Sequence, residues 1–294
     1  MGVIEIDSFD FLADSIGHPE AFIIKGDKLE EEVRYINDNK IRSIYLSFFK
    51  SRAIVNLEFL KEISFVEKIN LNDLEISYEG LYNLDNLKEA IISVKNRKQF
   101  LEYSFFKNLK SLAIDWYPVF PDLSSNLNLK KLKLWKYRPL SKSVKELKHL
   151  QHIEILCINQ SNIESLEGIG EMTNLFEFEG NHLNKLITLE NIELLKTSLR
   201  TLTLDYCRKL ENYEKSLIHL TKLEKLVLGD CGDLQSLDFI SKLNNLNFFS
   251  FFGTRLKDGN LQYLINNKIA YTSFTEDSSY SHTKTQILEG LKNI

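Results

Sequence analysis

The chain has 294 residues, with 37 Lys+Arg against 41 Asp+Glu and a formal net charge of −4. At 43% hydrophobic and 27% charged residues, its composition excludes a disordered or collagen-like chain, and its mild negative charge gives no global attraction to nucleic acid or to an acidic membrane. Three cysteines, Cys157, Cys207 and Cys231, are too few and too scattered for a disulfide framework.

In chain order, residues 1–40 are expected to form an N-terminal cap. Met1 to Ile24 lacks the basic start of a secretion signal and carries Glu5, Asp7, Asp10 and Asp14 where an apolar run would be needed. No run anywhere approaches the roughly 18 apolar residues of a spanning helix. A reduced, cytoplasmic protein with no membrane partner is therefore expected. Ala21 to Ile24 is apolar, and Lys28 to Asn39 reads as a helix, with Leu29, Val33 and Ile36 spaced four and three apart.

From residue 41 onward the chain repeats itself. Leu223, Leu226, Leu228 and Cys231 fit L-x-x-L-x-L-x-x-C, and Leu199, Leu202, Leu204 and Cys207 fit it as well. Leu129, Leu132 and Leu134 carry the same core, as do Leu109, Leu112 and Ile114, and Ile153, Leu156 and Ile158. Degenerate copies begin at Ile41, Val66, Leu87, Leu175, Leu246 and Ile269. Eleven copies in all recur with a mean period of about 23 residues, inside the roughly 20–29 residues of one known repeat class. The fourth and sixth positions alternate as in a strand, so both point to one face, which must be core because no copy can bury its leucines alone.

This pattern resembles the leucine-rich repeat family. The resemblance implies an α/β solenoid: a horseshoe with a concave parallel β-sheet and a convex side of short helices, 3₁₀ turns and loops, spanning residues 41–274. Two departures stand out. The ninth position, usually Asn or Cys, is Cys only at 207 and 231, and Tyr137, Ser161, Leu183 and Thr254 are among its replacements. Gly180 replaces the sixth-position leucine of the copy starting at Leu175. Residues 275–294 are expected to form the C-terminal cap, with a short closing helix at 285–294 that turns Ile287, Leu288 and Leu291 inward.

Chemistry-bearing motifs are missing from the sequence. The histidines at 18, 149, 152, 182, 219 and 282 make no H-E-x-x-H, and there is no phosphate-binding glycine loop and no G-x-S-x-G. The expectation is a non-catalytic chain without metal or cofactor, a monomer when unbound. Cys207 and Cys231 hold equivalent positions in successive copies and are expected to stack as buried thiols.

Binding residues are expected at the third, fifth, seventh and eighth positions, which face away from the core. These give Asp115 and Trp116, followed by Tyr117, and then Lys131, Lys133, Trp135 and Lys136, followed by Tyr137 and Arg138. Aromatic residues and arginine on an exposed sheet suit a protein partner. Glu177, Glu179, Asp205 and Tyr206 extend the face toward acidity. The reading is a protein–protein interaction module that binds its partner on this face. A composition with six alanines against abundant Ile, Lys and Asn fits a bacterial chain, and hence an inhibitor, immunity protein or adaptor. The short period is also similar to eukaryotic phosphatase-regulatory repeat proteins. The alternative is nucleic-acid or phosphate-ligand binding through the basic and aromatic patch Lys131–Arg138.

Overall fold

The computed structural model describes residues 2–93, 101–116, 123, 127–267 and 269–292. The chain forms two compact units, Met1–Leu132 and Lys133–Ile294.

The first unit begins with an antiparallel meander of β1 (Val3–Ile6), β2 (Phe9–Ala13) and β3 (Pro19–Ile23). Helix α1 (Leu29–Asp38) follows, burying Val33 and Ile36 as their spacing requires. Its Glu32 is also buried, and its carboxylate accepts the backbone N–H groups of Lys25 (3.0 Å) and Gly26 (2.9 Å), satisfying donors at the tight connection into the helix. Parallel pairing then starts at β3 and continues through β4 (Ser43–Ser47), β5 (Lys68–Asn72), β6 (Glu89–Ser93) and β7 (Ser111–Asp115).

Strand β8 (Lys131–Trp135) leads into the second unit. There β9 (Ile155–Asn159), β10 (Glu177–Asn181), β11 (Thr201–Asp205), β12 (Lys225–Gly229), β13 (Phe248–Phe251) and β14 (Tyr271–Phe274) pair in parallel in chain order. All eleven strands from β4 onward begin at the third position of a copy, so the register expected from the leucines holds even where the motif is degenerate. Returns between strands are 3₁₀ turns such as Ile169–Glu171 and Asp238–Lys242, or short helices: α2 (Glu214–Leu217), α3 (Gln262–Asn266) and the terminal α4 (Lys284–Lys292). This is the expected α/β solenoid: strands on one side and short returns on the other.

Fourth- and sixth-position side chains such as Leu202, Leu204, Leu226 and Leu228 are fully buried. At Gly180 the missing leucine is replaced from elsewhere. A Cβ there would lie 2.6 Å from Leu183 Cδ1 and 3.1 Å from Leu204 Cδ2, so the ninth-position Leu183 fills the vacated space.

The ninth position explains much of the turn after each strand. Ser161 Oγ donates to Tyr137 O (2.6 Å), and Thr254 Oγ1 donates to Leu228 O (2.6 Å). The Cys207 thiol points at Gly180 O (3.7 Å) and that of Cys231 at Leu204 O (3.5 Å). Serine, threonine and cysteine thus do the same job there, a short inward donor for a carbonyl of the preceding copy. Both thiols are free and buried, as expected for stacked packing groups, and Cys207 is pushed up by its neighbour Cys231 and by burial.

Two expectations need correction. Tyr137, placed on the binding face, is fully buried; its hydroxyl donates to Ser143 O (3.2 Å) and lies 3.4 Å from Glu146 Oε2. It occupies the inward ninth position, and burial pushes its phenol well above the ordinary range. In α4, Ile287 is buried but Leu288 is 45% exposed, because neighbours on a helix are about 100° apart and cannot both face inward.

Candidate partner-binding face

The site is built by the strand period. Side chains at the third, fifth and seventh positions emerge on the face opposite the core, where no return packs. The eighth residue then bends the chain out of the sheet in a left-handed conformation: φ is 57° at Lys136, 55° at Gln160, 53° at His182, 54° at Tyr206 and 46° at Asp230. A backbone bond accompanies this turn. Each of these N–H groups donates to the strand of the following copy, as in Lys136 to Asn159 O (2.9 Å), His182 to Asp205 O (2.8 Å) and Tyr206 to Gly229 O (2.9 Å). The turn aims the eighth side chain along the rim of the open face.

In the first unit this face carries Asp115 and Trp116, both half-buried. Ser93 Oγ lies 2.8 Å from Asp73 Oδ1 and 3.4 Å from Asp115 Oδ2. Tyr117 lies outside the described residues.

In the second unit, Trp135 is half-buried at the end of β8, with the Lys133 ammonium 5.2 Å from its ring centroid. Lys136 and Arg138 are exposed, as is Lys131 at the end of the first unit, and an Arg138 guanidinium N–H donates to Gln160 O. Cys157 is 2% exposed, and burial together with the Glu179 charge pushes its thiol up to about 12, against the opposing pull of Lys133. Such a thiol is not an activated nucleophile. Asn181 donates to Asn159 Oδ1 (2.9 Å) and to Glu179 Oε1 (2.6 Å), which holds the Glu179 carboxylate in place.

Glu177, Glu179 and Asp205 are half-buried on β10 and β11. Burial and the like charge of Asp230 raise the Asp205 carboxyl above its ordinary value. Tyr206 stacks on His182 with centroids 4.5 Å apart and planes at 7°, and the Arg208 guanidinium lies 5.5 Å from its ring centroid. The structure therefore brings Trp135, Lys133, Glu177, Glu179, Asp205 and Tyr206 onto one face of one unit, and removes Tyr137 from it.

Several residues of this face were not singled out from the sequence. Phe248 and Tyr271 stack at 4.4 Å and 16°, with Lys225 Nζ 5.2 Å from the Phe248 centroid. Tyr271 is 53% exposed and nearby Phe252 59%. Lys225, Phe248 and Tyr271 are all third-position residues, so the register rule contained the signal. A second feature, the cleft among Arg208, Asn212, Asp230, Asp233 and Lys257, has its charges opposed internally: Arg208 lies 4.0 Å from Asp230 and Lys257 3.7 Å from Asp233.

No group of three or more His, Cys, Asp or Glu among the described residues is arranged to hold a metal ion. No helix among them is long and apolar enough to cross a membrane.

No protein-family model and no curated protein matches the sequence. Among solved structures, the chain is similar to an internalin from Listeria monocytogenes at 16% identity, with a TM-score of 0.50 over 80% of this chain and 81% of that one. An internalin C2 from the same organism gives 18% identity and a TM-score of 0.47, covering 73% and 83%. A leucine-rich repeat protein from Leptospira interrogans gives 17% and 0.41, covering 92% of each chain. With eleven copies in register, the first likeness shows that the chain has the leucine-rich repeat fold.

Proposed function

We propose that this leucine-rich repeat chain is a non-catalytic module that binds a protein partner on the open sheet face of its second unit. The observation that carries the reading is the content of that face. Polar and aromatic side chains, half-buried or exposed, stand on β8 and on β10 to β14, with Trp135 braced by Lys133 at one side and the His182–Tyr206 stack farther along. Aromatic rings already held in place lose little freedom on binding, so they suit the role of anchors. Asp115 and Trp116 are proposed as binding residues on the first unit's own open face. We further propose that the protein is a bacterial, cytoplasmic inhibitor, immunity protein or adaptor and a monomer when free. A rigid repeat scaffold can cover a partner's surface with little rearrangement of its own.

The test is an affinity capture from native-source lysate with nuclease present, identified by mass spectrometry and followed by binding measurements with the purified partner. Wild type is compared with the Trp135→Ala/Tyr206→Ala variant, both folded by circular dichroism. The expected result is one protein retained by wild type, with a loss of about 2 kcal/mol or more in the variant. Retention that disappears with nuclease would instead favour nucleic-acid binding by the Lys131–Arg138 segment. Equal capture by both proteins would move the site off this face.

A further inference from the structure

The open face of β10 to β14 is not uniform, and its variation reads as a description of the occupant. Its fifth-position row runs Thr203, Val227, Ser250 and Ser273 in register across four strands. These are small side chains, so the row is a shallow floor. On one side the third-position row rises as Lys225, Phe248 and Tyr271, and exposed Phe252 follows β13 on the other. The result is a groove that crosses the strands, aromatic at the β13–β14 end.

At its other end the groove meets Glu177, Glu179 and Asp205. Elsewhere in this unit, cations and acids of successive copies pair off: Lys142 with Glu164 (2.9 Å), Lys145 with Glu167 (3.1 Å) and Lys148 with Glu171 (3.6 Å). Of the neighbouring arginines, Arg200 reaches Glu224 (3.7 Å) and Arg208 reaches Asp230 (4.0 Å). Among the described residues, Glu177, Glu179 and Asp205 have no lysine or arginine within 4.0 Å. Gly229 beside Asp205 matters here, because a Cβ at that position would collide with the Asp205 carboxylate. The like charge of Asp230 and partial burial both disfavour ionised Asp205 in the free protein, and the attraction of a cation from outside offsets them.

We infer that the groove takes an extended protein segment that presents a lysine or arginine to Glu179 and Asp205 and an apolar or aromatic side chain to the Phe248–Tyr271 stack. The inference rests on the protein-binding reading above and specifies the partner's chemistry. From β10 to β14 is four strand spacings, roughly 19 Å, which about six residues of extended chain span. Cationic and apolar anchors about five residues apart therefore fit both ends at once.

A library of random twelve-residue peptides displayed on phage, panned against the full-length protein, tests this. Two folded variants serve as controls: Ser250→Trp, which fills the groove floor, and Glu179→Gln/Asp205→Asn, which removes charge at nearly constant shape. The expected peptides carry a lysine or arginine and an aromatic or large aliphatic residue four to six positions apart. They should bind each variant at least about tenfold more weakly than wild type. Peptides that lose binding to Ser250→Trp but lack a cation and ignore the charge variant would overturn the inference and leave protein binding at this face intact. Peptides indifferent to Ser250→Trp would overturn both the inference and the choice of face. Absence of any enriched peptide would overturn the inference alone, since the capture experiment tests protein binding independently.

Discussion

Asp205 sits where its surroundings disfavour its ionised form. Its carboxyl is raised by burial and by Asp230, so between its unfolded value and its higher folded value the native state binds more protons than the unfolded chain. Stability therefore falls as pH rises through that window, and above it the ionised group is a net cost. Asp205→Asn should raise Tm at pH 7 relative to wild type. The difference should vanish below the ordinary Asp pKa, where both proteins carry a neutral side chain. Thermal denaturation at several pH values measures this, and an unchanged or lower Tm at pH 7 would show that Asp205 is not a stability cost. The same substitution is expected to weaken peptide binding, and stability gained with binding lost distinguishes a functional residue from a packing one. Tyr137 is the opposite case. Fully buried and hydrogen-bonded, it should cost roughly 3–5 kcal/mol of stability as Tyr137→Ala. Tyr137→Phe, which keeps the ring and leaves Ser143 O and Glu146 without the phenol, should cost about 1 kcal/mol and leave partner affinity unchanged in a calorimetric titration.

At the scale of the strand, the leucine positions were legible because they answer to one rule. A period of about 23 residues with alternating apolar positions leaves each copy a single way to bury its core, which is why even the copies starting at Ile41 and Val66 fall in register. The ninth position was harder to read, since Cys, Ser, Thr, Tyr and Leu all satisfy it there by different means. Its role is to fill space and donate inward, so residue type is a weak guide, and Tyr137 passed for a surface aromatic. The aromatic stack of Phe248 and Tyr271 is hard to read for a related reason: both belong to copies with Phe or Thr at the leucine positions, so face and core residues look alike in the sequence. The Gly180–Leu183 exchange offers a direct test of positional filling. Gly180→Leu should destabilise by roughly 1–3 kcal/mol, because its side chain meets Leu183. Adding Leu183→Ala should recover most of that loss, and chemical denaturation of the single and double variants reads the coupling. Additive losses would mean that Leu183 does not substitute for the missing sixth-position leucine.

Over the whole molecule, each copy leans on the next, and the charges follow the same division. Pairs such as Lys142–Glu164 and Lys145–Glu167 join successive copies on the return side; exposed pairs of this kind contribute at most about 1 kcal/mol each. On β10 and β11 the open face instead keeps Glu177, Glu179 and Asp205 without such partners, so an approaching cation meets acids there that, among the described residues, no lysine or arginine within 4.0 Å offsets. Salt separates the two readings of the basic segment Lys131–Arg138. If that segment gripped a nucleic-acid backbone, each neutralised phosphate would add about 0.7–0.9 to the slope of log affinity against log salt, and four cations would give a slope near −3. Two of those cations already have roles inside the protein: Lys133 lies against Trp135 and Arg138 bonds to Gln160 O. A protein partner steered by a face of mixed charge should lose far less, since salt then acts mainly on the association rate. We therefore expect partner affinity to change by less than about tenfold between 50 and 200 mM salt, with most of the change in the on-rate. We also expect single-stranded DNA to show no saturable binding at 150 mM salt by fluorescence anisotropy. A slope near −3 for the partner, or saturable DNA binding at that salt, would transfer the function from the acidic and aromatic strands to the basic one.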